Sequence, residues 1–422
     1  MPWKSLEESR KMVRSGNLNQ KTEFKGGGNV KTLIVSTVVP EGKYAPWIYI
    51  SSIVQNISKY SEVKFWFSIL NEDIQVKNDF IINTIKKTLL PLKLKSFLKN
   101  HYVTHYYHRE HLNSLEEVLK SFQPDVVVFA NLPSASYLHD VKKNKMNIYT
   151  VLLQHNVEYV VMKDLSKYGR SFFHRIYYDF QKRFIRNFER KIMSNVDFII
   201  SISPSDKEYF VRNYGIPADK VEVIRPIFEY EKNLFNAKSS DEKNISFISS
   251  FNWYPNVEGA IFFVKNVFPK LLRKFPKIKL YLVGRDPEKR ILELQERYPE
   301  NVIVTGTVES VETYYRMSNC VVIPIFIGPG IKLKVLEAMA SGVPTVMTSY
   351  VARDYDLLNE GFCIADRPEE FVHHIERILE DHDYARIISK RQIEWYESYL
   401  SNEKEKLRVV LERIFSEVNK KR

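Results

Sequence analysis

The chain has 422 residues, and its 63 Lys and Arg against 51 Asp and Glu give a formal net charge of +12. With 44% hydrophobic and 27% charged residues it has the composition of a folded protein, which excludes disorder, collagen-like repeats and a disulfide scaffold as overall classes. The length predicts two domains, and the positive charge favours an anionic partner such as nucleotide phosphates, nucleic acid or an acidic membrane surface.

The cysteines and the N-terminal residues predict a cytoplasmic protein. Cys320 and Cys363 are too few for a disulfide framework and fit a reducing compartment. Residues 1–16 lack the apolar core of a signal peptide, and no stretch approaches the roughly 20 apolar residues needed to cross a bilayer. If the protein meets a membrane, we expect it to do so peripherally, at the inner face of the plasma membrane.

From Gly26 onward, short apolar runs alternate with amphipathic stretches. In the first half the predicted strands are 31–38, 62–69, 125–130, 148–153, 197–203 and 221–225. In the second half they are 245–249, 279–284, 302–306, 321–327 and 344–347. Strand–helix alternation is typical of parallel sheets with right-handed crossovers. The sequence therefore predicts an α/β protein with two doubly wound, Rossmann-like domains.

Changes in composition indicate the domain boundaries. A polar run at 229–243 predicts a linker, and residues 1–29 predict a flexible N-terminal tail. We expect an N-terminal domain over 30–228 and a C-terminal domain over 244–385. The charged residues 386–422 predict C-terminal helices that pack back on the N-terminal domain.

A glycine-rich turn within 328–342 carries the strongest chemical signal. Gly330 lies where a predicted strand passes into a helix, and the amides of a helix N-terminus bind phosphates. Lys332 and Lys334 add positive charge. We expect the helix to begin at Ile331, which places Glu337 six residues and roughly 9 Å further along the helix axis. There its carboxylate can accept the hydroxyls of a ribose attached to a diphosphate. The alternative is a crossover helix with a glycine turn and solvent-facing lysines.

Five motifs follow one another in the second half of the chain. They are FNWYPNVEGAIFFVKNVFP (251–269), LYLVGRDP (280–287), VTGTVES (304–310), IGPGIKLKVLEAMASGVPTV (327–346) and ADRPEEF (365–371). Together they resemble the nucleotide-sugar-binding domain of family 4 glycosyltransferases, retaining enzymes of the GT-B fold. In the first half, QHNVE (154–158) and DFIISISPSDKEYF (197–210) resemble segments of the same family. The resemblance implies two Rossmann-like domains facing a cleft and a glycosyltransferase activity.

The resemblance also implies a donor site. Its residues are Glu337 for the donor ribose, Gly330, Ile331, Lys332 and Lys334 for the diphosphate, Asn256 near the phosphates, Gly306, Thr307 and Val308 for the base, and His155 near the transferred sugar. His155 and Lys334 are the residues implied to be catalytic. The donor would be a nucleotide diphosphate sugar, and the acceptor a saccharide on a lipid-linked glycan or surface polysaccharide. Because helix-end amides and a lysine stabilise the leaving group, we expect no metal or other cofactor.

Three positions depart from the pattern of the family. Pro329 stands where many members carry a Glu that contacts the donor sugar, 249–251 replace a basic residue, and 225–227 replace Pro-Asn-Gly. Two alternatives therefore stay open. One is a non-catalytic nucleotide-binding scaffold of the same fold, and the other is a nucleotide-sugar epimerase.

Basic charge is concentrated at 84–100 and at 168–193. In the second segment the aromatic residues fall at helical spacing, at Phe173, Tyr177, Phe180, Phe184 and Phe188. Such a face either packs on the core or anchors the helix at an anionic membrane surface, and both readings stay open. No RNA or DNA motif accompanies the charge, so we expect no nucleic-acid partner.

Four histidines lie close together in the first half, at 101, 105, 108 and 111. The surrounding aromatic and β-branched residues favour a strand, which would place the histidines on different faces. We therefore expect no metal site there.

Overall fold

The computed structural model describes most of the chain. The described residues are 30–38, 45–69, 80–84, 100–144, 147–169, 171–235, 242–358 and 361–421. The predicted tail, 1–29, lies outside them, as do residues 85–99 of the first basic segment and 236–241 of the predicted linker. Of the helices in the described ranges, none is long and apolar enough to cross a bilayer.

Two compact units divide the chain. The N-terminal unit contains the described residues between 30 and 228, together with Pro329–Ile331 and the chain from Asn402 onward. The C-terminal unit contains Glu229–Gly328 and Lys332–Ser401.

The N-terminal unit is built on a parallel sheet. Its described strands are β1 (Lys31–Ser36), β2 (Glu62–Ile69), β3 (Phe80–Thr84), β4 (Val126–Phe129), β5 (Tyr149–Gln154), β6 (Phe198–Ser201) and β7 (Val221–Val223). They lie in the order β3-β2-β1-β4-β5-β6-β7, with every neighbouring pair parallel. The helices are α1 (Ala45–Ile57), α2 (His101–Tyr106), α3 (Leu112–Phe122), α4 (Leu138–Lys143), α5 (Glu158–Tyr168), α6 (Phe172–Asn195) and α7 (Pro204–Tyr214). The central strands are fully buried, as strands of a covered parallel sheet must be.

The C-terminal unit contains a second parallel sheet. Its described strands are β8 (Asn244–Ile248), β9 (Lys279–Val283), β10 (Val302–Gly306), β11 (Cys320–Ile323), β12 (Thr345–Met347) and β13 (Cys363–Ile364). Their order is β10-β9-β8-β11-β12-β13, again all parallel. The helices are α8 (Tyr254–Phe262), continued by a π-helical turn (Phe263–Val267), α9 (Phe268–Lys274), α10 (Lys289–Arg297), α11 (Glu312–Met317), α12 (Lys334–Ser341), α13 (Ser349–Ala352), α14 (Pro368–Glu380) and α15 (His382–Lys421). From Asn402 onward, α15 groups with the N-terminal unit.

The predicted α/β fold with two doubly wound parallel sheets is confirmed. Outside the histidine segment at 101–111, each segment predicted to be a strand contains one. Strands β3 and β13 were not predicted. The apolar run of β3 is only three residues long, and β13 has two residues, so neither carries a recognisable strand pattern.

The strand order reverses once in each sheet. The reversal lies between β1 and β4 in the N-terminal unit and between β8 and β11 in the C-terminal unit. At such a point the loops that leave neighbouring strands turn to opposite sides of the sheet, which opens a crevice outside the carboxyl ends of the strands. Each unit therefore has one place where the fold itself favours a ligand site.

The strand predicted for the histidine segment is wrong, because residues 101–106 form helix α2. Asn100 caps this helix by accepting a hydrogen bond from the Tyr102 amide at 2.9 Å, so capping overrides the β-branched composition. His108 contacts the His105 carbonyl oxygen, and His111 contacts the Ser68 hydroxyl at 2.8 Å. Within the described ranges, no three His, Cys, Asp or Glu side chains are grouped so that they could hold a metal ion.

A buried ion pair joins the middle of α15 to the residues after β7 within the N-terminal unit. Glu403 accepts hydrogen bonds from the Arg225 amide at 3.0 Å and from its guanidinium at 3.2 Å. The two side chains are 2% and 10% exposed. Arg225 opens the tripeptide that departs from the family pattern, and the departure is explained by this pairing.

We expect Glu403→Ala to lower the free energy of unfolding by about 3–5 kcal/mol, because it leaves Arg225 buried without its counter-ion. The matched control is Glu405→Ala, on the same helix, whose side chain is 60% exposed. This control should change the free energy by no more than about 0.5 kcal/mol. Equal effects of the two substitutions in urea denaturation would contradict the assigned pairing.

Candidate active site

The reversal in the C-terminal sheet brings the predicted donor residues to one edge. Strands β8 and β11 are neighbours and parallel, so their carboxyl ends lie at the same edge. The chain after β8 leads into α8, which carries Asn256 in its first turn. The chain after β11 leads through 324–333 into α12. The site is therefore built from two loops that the sheet topology places side by side.

The turn before α12 differs from the sequence prediction. Gly330 has a φ of +73°, a left-handed conformation that an L residue rarely adopts. The helix begins at Lys334, three residues later than expected at Ile331, and Glu337 lies in its first turn. The glycines of this turn delay the helix, so the carboxylate is closer to the helix N-terminus than the spacing along an ideal helix suggested.

Lys334 hydrogen-bonds Asn256, in the first turn of α8. Its Nζ donates a hydrogen bond to Asn256 Oδ1 at 2.7 Å and lies 5.7 Å from the centre of the Phe247 ring. Asn256 is fixed in turn, because its Nδ2 donates to the Ser250 carbonyl oxygen at 2.7 Å. Burial, with Lys332 nearby, lowers the pKa of Lys334 to about 7. The ammonium group thus lies in a partly buried position where an anionic partner would stabilise it.

Glu337 is held by a buried tyrosine. Tyr315, from α11, is 1% exposed and hydrogen-bonds the Glu337 side chain. Burial raises the pKa of Glu337 to about 7, with the Glu312 carboxyl adding to the shift and Tyr315 and Lys334 opposing it. The carboxyl group therefore gains most from additional hydrogen-bond donors such as ligand hydroxyls.

Lys332, predicted to contact the diphosphate, has a hydrogen-bond partner within its own loop. Its Nζ donates to the Gly328 carbonyl oxygen at 2.8 Å, and the Tyr350 hydroxyl donates to the same oxygen at 2.7 Å. The ammonium also lies 5.6 Å from the centre of the Tyr350 ring. Lys332 thereby fixes the turn that precedes α12.

The residues predicted to face the base lie at the carboxyl end of β10. Gly306 is the last residue of this strand, Thr307 is exposed and Val308 is partly buried. Strand β10 is at the edge of the sheet, separated from β11 by β9 and β8. These three described residues share the sheet edge with Lys334, and no hydrogen bond joins them to it.

His155 lies in the N-terminal unit, directly after β5. Its ring packs edge-on against Tyr49 at a centroid distance of 5.3 Å and hydrogen-bonds the Ala130 carbonyl oxygen, at the end of β4. Burial lowers its pKa to about 4, so the imidazole is neutral at pH 7. Its Nε2 is shielded from solvent and has no hydrogen-bond partner among the described residues. The ring thus offers a lone pair beside the reversal of the first sheet.

A buried carboxylate fixes the segment that carries His155. Glu189 Oε1 accepts from Gln154 Nε2 at 2.9 Å and from the Glu158 amide at 2.8 Å. Its Oε2 accepts from the Tyr159 amide at 3.2 Å and from the Tyr214 hydroxyl at 2.6 Å. Burial raises the pKa of Glu189 to about 8. Four donors surround this side chain, and two of them are at the N-terminus of α5, immediately after the histidine loop.

The sequence analysis missed both Glu189 and Tyr315. Glu189 had a signal, because it falls in the helical stripe with Tyr177, Ile185 and Ile192, where a charged residue indicates a buried partner set. Tyr315 had none, because its contact with Glu337 joins two helices that are distant in sequence.

Sequence models of two glycosyltransferase families match the chain. The one described as Glycosyltransferase Family 4 matches residues 90–231, and the one described as Glycosyl transferases group 1 matches residues 242–381. Together they cover most of the chain, one in each half. The chain belongs to the group 1 glycosyltransferases.

This glycosyltransferase has a relative in Klebsiella pneumoniae, an uncharacterized 44.6 kDa protein in a cps region. The two are 27% identical over 228 residues, which are 52% of this chain and 56% of the relative. The match thus spans little more than half the length of that curated relative.

Solved structures share its fold. Sucrose-phosphate synthase from Thermosynechococcus elongatus is 16% identical, with a TM-score of 0.65 over 92% of this chain and 100% of that one. Anabaena HepE, solved in complex with UDP and glucose, is 12% identical, with a TM-score of 0.59 over 91% of this chain and 100% of that one.

The position where the family carries a basic residue is occupied by uncharged side chains in this glycosyltransferase. Ser249 Oγ is buried and has no hydrogen-bond partner among the described residues. The next residue, Ser250, holds Asn256 through its carbonyl oxygen, and Phe251 packs edge-on against Phe247 at 5.4 Å. The substitution exchanges a charge for a hydroxyl group at the carboxyl end of β8.

We expect Glu189→Ala to destabilise the protein by at least about 3 kcal/mol, because it leaves several buried donors unsatisfied. Amide hydrogen exchange of Glu158 and Tyr159 should accelerate well beyond the global effect. Asn187→Ala, at an exposed position of the same helix, is the matched control and should leave both quantities unchanged. Unchanged exchange in Glu189→Ala would show that the carboxylate does not hold this helix N-terminus.

Proposed function

We propose that this chain transfers a sugar from a nucleotide diphosphate sugar to a saccharide acceptor. The observation that carries the proposal is the pairing of Lys334 with Asn256 at the sheet reversal, with Glu337 one helical turn further on. At the start of α12, the Lys334 ammonium group and the Asn256 amide match the phosphates of a nucleotide diphosphate. The Glu337 carboxyl group matches its ribose.

In this proposal the diphosphate binds at the start of α12. Lys334 and the amides of Gly330 and Ile331 neutralise it, and Asn256 orients the ammonium group. Glu337 accepts the two ribose hydroxyls, and the backbone around Gly306–Val308 lies along the base. HepE, one of the structures with the same fold, was solved with UDP, which supports a nucleotide in this fold without naming the base for this chain.

The chemical step needs no protein nucleophile in this proposal. The bond between the anomeric carbon and the diphosphate oxygen breaks, and its electron pair stays on the diphosphate. The acceptor hydroxyl oxygen bonds to the same face of the anomeric carbon, which retains configuration, and its proton passes to the departing diphosphate. Lys334 and the helix N-terminus stabilise the developing negative charge, so we propose that no metal ion is required.

His155 is proposed to contact the transferred sugar. Since its imidazole is neutral at pH 7, it acts as a hydrogen-bond acceptor for a sugar hydroxyl through Nε2 rather than as a positive charge. Glu189 keeps the segment in place through the hydrogen bonds at the start of α5.

The acceptor is proposed to be a lipid-linked glycan or a growing surface polysaccharide. This places the protein in the cytoplasm, at the inner face of the plasma membrane. The net charge of +12 supports an anionic surface as a partner, as does the basic segment 168–193. Of the other basic segment, 84–100, residues 85–99 lie outside the described part of the chain.

The first experiment is thermal shift with UDP, GDP, dTDP, CDP and ADP, followed by a sugar-transfer assay with the nucleotide that binds. A nucleotide at a hundredfold its Kd stabilises the folded state by about 2.7 kcal/mol. We expect Lys334→Met and Glu337→Gln each to weaken nucleotide binding about tenfold or more, because each removes a charged hydrogen-bond partner. The substitutions Lys289→Met and Glu296→Gln, at exposed positions of the same unit, should bind like the parent chain.

The pH dependence of nucleotide binding separates the two roles. Affinity should fall above pH 7, where Lys334 loses its proton, and below pH 7, where Glu337 gains one. Lys334→Met should remove the loss of affinity above pH 7, and Glu337→Gln the loss below pH 7.

Stabilisation by none of the five nucleotides in the thermal-shift panel would overturn the donor site. Sugar transfer abolished by EDTA would overturn metal independence, and products formed without acceptor would indicate an epimerase.

We expect His155→Ala to lower kcat about a hundredfold while the Kd of the nucleotide stays within twofold, because the lost hydrogen bond is proposed to lie at the sugar. His139→Ala is the control, since His139 is exposed on α4. Stopped-flow or steady-state kinetics with saturating donor measure kcat, and calorimetry measures Kd. A His155→Ala chain that loses nucleotide affinity would contradict the assignment.

A further inference from the structure

The first two turns of α6 present large apolar side chains to solvent. Phe172 is 67% exposed, Phe173 78%, Ile176 39% and Phe180 52%. The sequence placed five aromatic residues on one face of this helix, and the structure separates them, because Tyr177 is 9% exposed while Phe173 and Phe180 face outward. We call Phe172, Phe173, Ile176 and Phe180 the apolar tip of α6.

The inner face of α6 prevents the apolar tip from rotating into the core. Gln181, Ile185 and Glu189 are fully buried at intervals of four residues. Glu189 alone accepts four hydrogen bonds from other elements of the N-terminal unit. Rotating the helix would break these hydrogen bonds and leave their buried polar groups unpaired, so the apolar tip stays exposed to solvent.

The same outer face becomes basic further along the helix. Arg183 and Arg190 continue the three-and-four-residue spacing that starts at Phe172 and Ile176, and both are exposed. Of the two acidic residues of α6, Glu189 is buried and Asp179 pairs with Lys182. The outer face therefore carries an apolar half and a positively charged half.

The neighbouring helix adds charge of the same sign. α5 packs along α6, and its Lys163 and Lys167 are exposed. Positive charge beside exposed aromatic side chains matches the boundary of an anionic bilayer, where phosphates lie next to acyl chains.

We propose that the outer face of α6 docks the protein on an anionic lipid bilayer. The apolar tip enters the boundary between headgroups and acyl chains, and Arg183 and Arg190 bind lipid phosphates. A second copy of the chain is a poorer occupant, because neither acidic residue of α6 can pair with Arg183 and Arg190: Glu189 is buried and Asp179 pairs with Lys182. The inference rests on the membrane location given under Proposed function and names the surface responsible for it. Vesicle binding and nucleotide binding use different residues, so the failure of one is distinguishable from the failure of the other.

The test is flotation of the full chain with vesicles of pure phosphatidylcholine and of phosphatidylcholine with 30% phosphatidylglycerol. We expect binding to the anionic vesicles, weakened by salt, and little to the neutral ones. Arg183→Gln with Arg190→Gln should weaken binding about thirtyfold, and Phe173→Ser with Phe180→Ser about tenfold or more. All of these side chains are exposed, so thermal stability and nucleotide binding should not change.

Matched controls lie elsewhere on the N-terminal unit. Val409→Ser removes an apolar side chain that is 50% exposed, and Lys120→Gln removes a lysine whose side chain is 72% exposed. Both should bind vesicles like the parent chain. The proposal is overturned if the parent chain does not bind anionic vesicles, if both vesicle types bind equally, or if the α6 variants bind like the controls. It is also overturned if the parent chain is a dimer that Phe173→Ser with Phe180→Ser converts to a monomer.

Discussion

Parallel pairing of strands is the constraint on which the rest of this protein depends. In a parallel sheet all carboxyl ends lie at one edge, and a reversal of strand order opens a crevice there. In the C-terminal unit that edge collects Asn256 and Lys334 from segments 78 residues apart in sequence. In the N-terminal unit it collects His155 and the Ala130 carbonyl oxygen. The chemistry of both units thus follows from topology before any single side chain is considered.

Buried acidic and basic side chains then determine which way the local elements face. Glu189 fixes the start of α5 and the rotation of α6, so one side chain orders both the histidine segment and the exposed apolar tip. The ion pair of Arg225 and Glu403 fixes the middle of α15 in the same unit. Such groups are costly to bury and tolerate few arrangements, which is why they specify geometry more sharply than apolar packing does.

The departures from the family pattern become local exchanges when their contacts are known. Arg225 replaces a turn residue but finds a buried carboxylate, and Ser249 replaces a charge with a hydroxyl group at the end of β8. Lys332 carries the charge that the motif predicts and donates a hydrogen bond to the Gly328 carbonyl oxygen. At Arg225 residue type alone was a poor guide to role, because a hydrogen-bond partner distant in sequence decides it.

The sequence by itself determined the described strands other than β3 and β13, the family, and the set of residues proposed for the donor site. Apolar periodicity and ordered motifs are local properties, so they can be read without coordinates. Tertiary structure decided the rest. It made 101–106 a helix, delayed α12 to Lys334, gave Glu337 its partner Tyr315, and turned Phe173 and Phe180 outward. The first two depend on the Asn100 cap and on the turn at Gly330, which apolar periodicity does not register. The last two depend on contacts between different elements, which no spacing within one segment encodes.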